Sequence, residues 1–338
     1  MVCSPEEWDQ FVRKNPHGHI LQTAAWGQLK SAFGWSVETV CDGERGALAL
    51  FRRLPFGLSL AYVPRGPLAD WNQAADLGKL VDALDKLCRA RNAICLKLEP
   101  DLPDIPAFAG TLATLGFQPS PHTIQPRRTI VVNLAGQERE ILGRMKPKTR
   151  YNIGLAGKKA VTVRAAQSLA EVGDFTTLMR ETGQRDNFGV HSPEYYLQAY
   201  QLFQPSGQAQ LFLTHYEGQL LAGVMVFAVG KRAWYFYGAS SSAERPRMAP
   251  YQAQWEAMRW AKSRGALVYD LWGIPDEDDG FLESDFEQRR DGLWGVYRFK
   301  RGWGGQVVRT VGAWDRVYSP IGYQIYLAYL KLRGAAFA

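Results

Sequence analysis

The chain has 338 residues, 46% of them apolar and 12% aromatic, which suits two domains and excludes a disordered chain. Its net charge of +7 is unevenly spread, which directs attention to polyanions. The longest apolar run, 220–229, is shorter than the roughly 20 residues that cross a bilayer, and no basic-then-apolar leader opens the chain, so the expectation is a cytoplasmic protein.

In chain order, Ser4-Pro5-Glu6-Glu7 starts a short helix. Leu21, Ala25 and Leu29 share a helical face that stops at Gly34, with Lys30 near its C-terminal end. Strands are expected at 37–40, 47–52 and 58–63, punctuated by Asp42-Gly43 and Pro55-Phe56-Gly57. Leu77, Leu80, Val81, Leu84, Leu87 and Cys88 mark an amphipathic helix. A buried strand, 93–98, runs into Glu99-Pro100-Asp101. A helix at 107–115 and a strand at 129–134 follow.

A basic segment comes next. From Arg127 to Arg164 there are ten Lys or Arg and two acids. A helix at 138–145 is broken by Pro147, and a second helical piece carries Lys158 and Lys159. Such a run either attracts a phosphate-bearing partner or is a solvated face neutralised elsewhere in the fold.

After a strand at 161–164 and a helix at 172–182, a hairpin is expected at 220–227 and 233–237, turning at Gly230-Lys231. Tyr251, Trp255, Met258 and Ala261 define a helix, and 266–271 a buried strand. Between Asp276 and Asp291 lie eight acids and two arginines. Asp291 is placed as the N-cap of a helix that ends on a left-handed Gly302. Leu293, Val296, Tyr297 and Lys300 share its inner face. Lys300 either points into a cleft to meet negative charge or snorkels beside the turn. A strand near 306–311 and an apolar helix at 321–332 complete the chain. That last helix packs on the first domain or offers an apolar stripe to a membrane surface.

Hairpin, helix and strand thus occur twice, from Gly43 to Leu98 and from Gly218 to Leu271, at nearly equal spacing. The expected fold class is mixed α/β: two tandem GNAT-like acyltransferase domains, by analogy of layout. In such folds strands splay to leave a cleft for an acyl donor. Yet the glycine-rich turn that cradles coenzyme A is missing from both copies, and no P-loop or dinucleotide fingerprint is present. No metal-ligand spacing appears among the four cysteines and five histidines, and the cysteines read as reduced and mostly buried. No metal or cofactor is therefore expected. The acyl group must arrive activated, and an aminoacyl ester on tRNA fits the basic surface.

Eight ordered blocks, including HILQTAAWGQLK, LKLEPD, RMKPKTRYNI, RDNFGVHSPEYY, YFYGASS, YDLWGIPD and GVYRFKRGWGG, resemble those of the FemABX family. These are peptidyltransferases that attach amino acids from aminoacyl-tRNA to peptidoglycan precursors. The resemblance implies two GNAT-like domains, 1–145 with 317–338 for the precursor and 146–316 for the tRNA side, here without a coiled-coil arm. It implies aminoacyl-tRNA and a precursor, lipid II or UDP-MurNAc-peptide, as partners. Lys30 matches a lysine that contacts the precursor's phosphates. Lys300 matches one at the aminoacyl-tRNA end that stabilises the reacting carbonyl. Glu99, Asp101 and Tyr237 match cleft positions, with Glu99 or Asp101 orienting the amine or taking its proton. His191 stands where some relatives carry a phosphate-binding arginine. With no arm, the grip on tRNA falls to Arg144, Lys146, Lys148, Arg150, Lys158 and Lys159.

Overall fold

The computed structural model describes residues 4–42 and 44–333. The turn residue Gly43 and Cys3 lie outside that range. The chain divides into two compact units, 1–127 with 309–338, and 128–308. The expected joints were 145/146 and 316/317. The first moves because 128–133 forms a strand of the second sheet, and the second because 314–317 pairs with the strand at 93–99 in the first sheet.

The elements run α1 (Pro5–Lys14), α2 (Ala24–Ala32), β1 (Trp35–Cys41), β2 (Gly46–Arg53), β3 (Ser59–Pro64), α3 (Ala74–Ala90), β4 (Ala93–Glu99), α4 (Pro106–Thr114) and β5 (Gln118–Pro119). Next come β6 (Arg128–Asn133), α5 (Glu138–Arg144), α6 (Pro147–Lys158), β7 (Thr162–Ala165), α7 (Leu169–Asp186), α8 (Pro193–Phe203), β8 (Ala209–Tyr216), β9 (Gln219–Val229) and β10 (Arg232–Ser240). The remainder are α9 (Ala249–Ser263), β11 (Val268–Gly273), α10 (Asp279–Asp285), α11 (Trp294–Lys300), β12 (Gln306–Arg309), β13 (Trp314–Val317) and α12 (Pro320–Arg333). Helix α8 was not anticipated, although Ser192-Pro193-Glu194 is a helix start of the usual kind.

The first sheet has the order β1-β2-β3-β4-β13-β5 and the second β12-β6-β11-β10-β9-β8-β7. Read from opposite ends, they share one topology. The antiparallel strands β1-β2-β3 answer to β8-β9-β10, the parallel partner β4 to β11, and β13 to β6. The repeat seen in the sequence is therefore structural. It includes an exchange that the sequence did not disclose: β6, in the first half of the chain, completes the second sheet, and β13, near its end, completes the first.

In the first unit α3 lays Leu77, Leu80, Val81, Leu84 and Cys88 on one cluster with the sheet. Tyr323, Tyr326 and Leu330 of α12 form a second cluster with Leu60, Ile94 and Cys95. Lys97 and Asp315, both buried, pair at 2.8 Å, and Tyr323 donates to Asp315 at 2.7 Å, so β4, β13 and α12 share one polar pin. A buried pair of this kind survives only because its remaining bonds are also made. In the second unit Ala253, Ala257, Met258 and Ala261 of α9 pack on β6, β9, β10 and β11. Cys88 and Cys95 are buried free thiols as expected, whereas Cys41 is disulfide-bonded, against the expectation of four reduced cysteines. Among the described residues no helix is long and apolar enough to cross a membrane. The longest helix has 18 residues, and no coiled-coil arm is present among them.

Candidate active site

In the second unit the parallel pairing of β10 with β11 runs from Arg232 opposite Val268 to Trp234 opposite Asp270 and stops, although β10 continues to Ser240. A bulge in β10 lies between Tyr235 and Tyr237. On β11 the register with β6 also slips after Asp270. Trp272 there takes φ 62, a left-handed value that is costly for a bulky residue. Its ring lies 4.5 Å from that of Phe236, the bulged residue. The two strands therefore splay, as the layout had led us to expect.

Helix α11 delivers Lys300 to this splay. Its start differs from expectation. Leu293 rather than Asp291 is the N-cap, and the Asp291 carboxylate pairs with Arg289. Leu293 is exposed, while Trp294, Tyr297 and Lys300 are buried. Gly302 does not carry a left-handed φ; it is required for space, because a Cβ there would lie 2.1 Å from Thr149 Oγ1. Lys146 N–H donates to the Gly302 carbonyl at 2.9 Å. Gly302 is thus packed against the joint between α5 and α6.

The Lys300 ammonium donates to the Gly273 carbonyl at 2.7 Å and lies 5.6 Å from the centroid of Tyr235. Burial lowers its pKa to about 7, against the opposing pull of the Asp270 carboxylate. Asp270 is itself buried, accepting from Thr129 Oγ1 and, at 2.7 Å, from Trp272 N–H. Tyr235 lies tight against Gly238, where a Cβ would meet its hydroxyl at 1.9 Å. Tyr235, Asp270 and Trp272 were not singled out from the sequence. They sit in two of the blocks that carry the family resemblance, so a signal existed.

Tyr237 lies elsewhere. A one-residue bulge moves the residues beyond it to the opposite face of a strand. Tyr237 accordingly packs at right angles to Tyr195 and Tyr196 of α8, at 6.4 and 5.0 Å. His191 stacks on Tyr195 at 3.9 Å and stands 5.9 Å from Tyr237. The structure therefore gathers Tyr237 with His191, and Lys300 with Tyr235.

In the first unit Glu99 is buried at the end of β4. Its carboxylate accepts from Tyr62 Oη, from Ile124 N–H at 2.5 Å and from Gln125 N–H at 3.0 Å. Burial raises its pKa, opposed by those donors. Its bonds hold the loop 120–126 to the sheet. Asp101 faces Arg65 at 3.8 Å and is less buried. Lys30, on α2, lies 5.0 Å from the Trp26 ring; burial, reinforced by Arg52, lowers its pKa to about 8.

The six basic residues proposed for RNA all lie on or beside α5 and α6. Arg144, Lys146, Lys148, Arg150 and Lys158 are exposed and Lys159 half-buried. Arg144 donates to the carbonyls of Asn133 and Ala135, Lys146 pairs with Glu283 at 3.3 Å, and Lys159 donates to Pro246 O. Among the described residues no cluster of three or more His, Cys, Asp or Glu is placed to hold a metal ion.

Two sheets of one topology, one of them splayed beside a bulge, define a tandem GNAT-like fold. A solved structure described as FemX superposes with TM-score 0.86 at 24% identity, covering 96% of this chain and 98% of that one. A tandem GNAT protein of the clavulanic acid pathway superposes with TM-score 0.51 at 11% identity, covering 83% of each chain. The FemAB family model matches residues 3–104, 112–216 and 204–331. The chain belongs to the FemAB family and is an aminoacyltransferase of that type. Lipid II:glycine glycyltransferase of Staphylococcus aureus is 25% identical over 409 aligned positions, which cover 96% of this chain and 94% of that protein.

Proposed function

We propose that the protein transfers an amino acid from aminoacyl-tRNA to the stem-peptide amine of a peptidoglycan precursor, lipid-linked or UDP-linked, during formation of the interpeptide bridge. The observation that carries this reading is the buried Lys300 ammonium beside the splayed strands of a FemAB-family chain. The Staphylococcus aureus relative is named for glycyl transfer to lipid II. On this reading the protein works in the cytoplasm.

The reaction is aminolysis of an ester. The neutral amine attacks the ester carbonyl, and negative charge collects on its oxygen. Lys300 donates a hydrogen bond to that oxyanion, worth roughly 3 kcal/mol for one such donor. The C–O bond to the ribose then breaks, and the proton lost by the amine passes to the departing ribose oxygen, which leaves as a hydroxyl. Because burial holds its pKa at about 7, Lys300 is only partly protonated when the site is empty; an approaching anion restores the charge. Glu99 or Asp101 is assigned to orient the amine or take its proton; the Glu99 oxygens also hold Tyr62 and two backbone amides. Lys30 is assigned to the precursor's phosphates, Tyr237 and His191 to substrate contact, and the α5–α6 basic residues to tRNA.

Coenzyme A as donor is disfavoured by the start of α9. Pro250 supplies no amide there, Met248 is left-handed, and Tyr251 N–H is bonded to Met248 O. Few amides remain for a pyrophosphate. The test is label transfer from a mixed pool of radiolabelled aminoacyl-tRNAs to lipid-linked and UDP-linked precursors, with acetyl-CoA as a parallel donor. Label on either precursor is the expected result, and the labelled amino acid gives the specificity. Acetyl transfer without aminoacyl transfer overturns the assignment.

A further inference from the structure

The first unit carries an apolar surface that none of these roles uses. While α12 buries Tyr323, Tyr326 and Leu330, its outer face presents Ile321, Ile325, Tyr329 and Leu332, exposed by 77, 66, 47 and 88%. Their spacing of four, four and three residues makes one continuous stripe. Phe56, 98% exposed, tips the loop between β2 and β3. Leu54 and Leu58, which flank it, pack against the same cluster as Tyr323 and Tyr326, so the tip lies beside α12. Five large side chains exposed in one patch mark an interaction surface.

Behind the stripe the buried Asp315 is paired with Lys97, but the segments that form the exposed rim carry charge of one sign. Residues 16–37, 46–69 and 316–333 contain no Asp or Glu. These segments supply exposed Arg53 and Lys331. Arg52 lies over Trp35, a member of the α12 cluster, at 5.5 Å. Lys30 and Tyr326 both feel the Arg52 charge.

We propose that this face docks on the surface of an anionic phospholipid bilayer, with α12 lying in the interface and Phe56 inserting beside it. A bilayer supplies an apolar interior and a layer of negative headgroups together, which matches an aliphatic stripe with a cationic, acid-free rim. The 14-residue helix is too short to span, so it lies flat. The inference deepens the proposed function by favouring the lipid-linked acceptor, and rests on that reading only for its purpose.

Binding is measured without donor or acceptor, so its failure is separate from failure of the transferase assignment. The purified full chain is sedimented with vesicles of equal parts phosphatidylcholine and phosphatidylglycerol, and with phosphatidylcholine alone. Binding to the anionic vesicles, weakened roughly tenfold or more in the neutral ones, is expected. Ile325→Glu and Phe56→Asn should each lower partitioning to anionic vesicles at least several-fold with an unchanged melting temperature; asparagine tolerates the left-handed backbone at position 56. No sedimentation with anionic vesicles, or undiminished binding by both variants, overturns the proposal. Self-association abolished by Ile325→Glu, with no vesicle binding, overturns it in favour of a second copy of the chain.

Discussion

The two units share a core strand order and differ at the joint between its parallel strands. In the first, β3 and β4 stay paired to Pro64 opposite Glu99, the last residues of both strands. In the second, β10 and β11 part after Trp234 and Asp270. At the open joint the β10 bulge, the slip on β11 and a left-handed Trp272 lie where pairing ends, whereas the register shift of the closed joint lies at its start, between Ser59 and Ala61. The buried group at each joint differs accordingly. At the closed joint Glu99 accepts from a tyrosine and two backbone amides and acts as a clamp. At the open joint Lys300 donates to one carbonyl, with its charge weakened by burial. A saturated buried ion holds structure; a lightly bonded one is available to a substrate.

The sharpest way to break this comparison is Lys300→Ala. Turnover should fall by roughly two to three orders of magnitude, with tRNA binding retained, in a single-turnover transfer assay. Unchanged turnover would remove Lys300 from the chemistry. Gly238→Ala attacks the open joint through shape, because the new methyl would displace Tyr235. It should cost about 1–3 kcal/mol in chemical denaturation and lower turnover as well. Glu99→Gln strikes the closed joint. Its expected cost is about 1–3 kcal/mol of stability, with turnover reduced far less than in Lys300→Ala. A larger catalytic than structural loss would make Glu99 a reacting group rather than a clamp.

A smaller effect separates the two ions by pH. Lys300 in the folded protein has a pKa near 7 against an ordinary value of 10.5. Between these values the unfolded chain binds the extra proton, so stability rises with pH across that window, by up to about 1.4 kcal/mol per unit. Below about 7 both states are protonated and the contribution is flat. Denaturant curves of wild type and Lys300→Met should diverge in slope over that window. Parallel curves would place Lys300 in a wetter site. Last, Asp101→Asn keeps an acceptor oxygen beside the buried Arg65 at 3.8 Å, so its cost in stability should stay within about 1–3 kcal/mol. A drop in turnover beyond that would support its assigned role at the amine.

Much of this was legible in the sequence. Periodicity located α3, α9 and the β9–β10 hairpin, and the spacing in α11 grouped Lys300 with Tyr297 but left open whether it pointed inward or snorkelled. The bulge was not legible, because one extra residue leaves composition untouched yet moves Tyr237 to α8 and leaves Tyr235 beside Lys300. Nor was the exchange of β6 and β13. Propensity describes a strand but not its partner, and these strands pair with residues far away in sequence.

That exchange sets an order for synthesis. The second unit is continuous, 128–308, and has all its strands before the ribosome reaches β13. The first unit emerges earlier but waits. Until Trp314–Val317 arrives, β4 is an unpaired edge and Lys97 lacks the Asp315 counter-ion. The bond from Arg316 to Asp85 spans 231 residues. Closing such a loop is entropically slow to be rewarded. The half of the enzyme made first is therefore the half finished last, and a nascent chain stalled before residue 314 exposes an aggregation-prone edge that the released protein does not have.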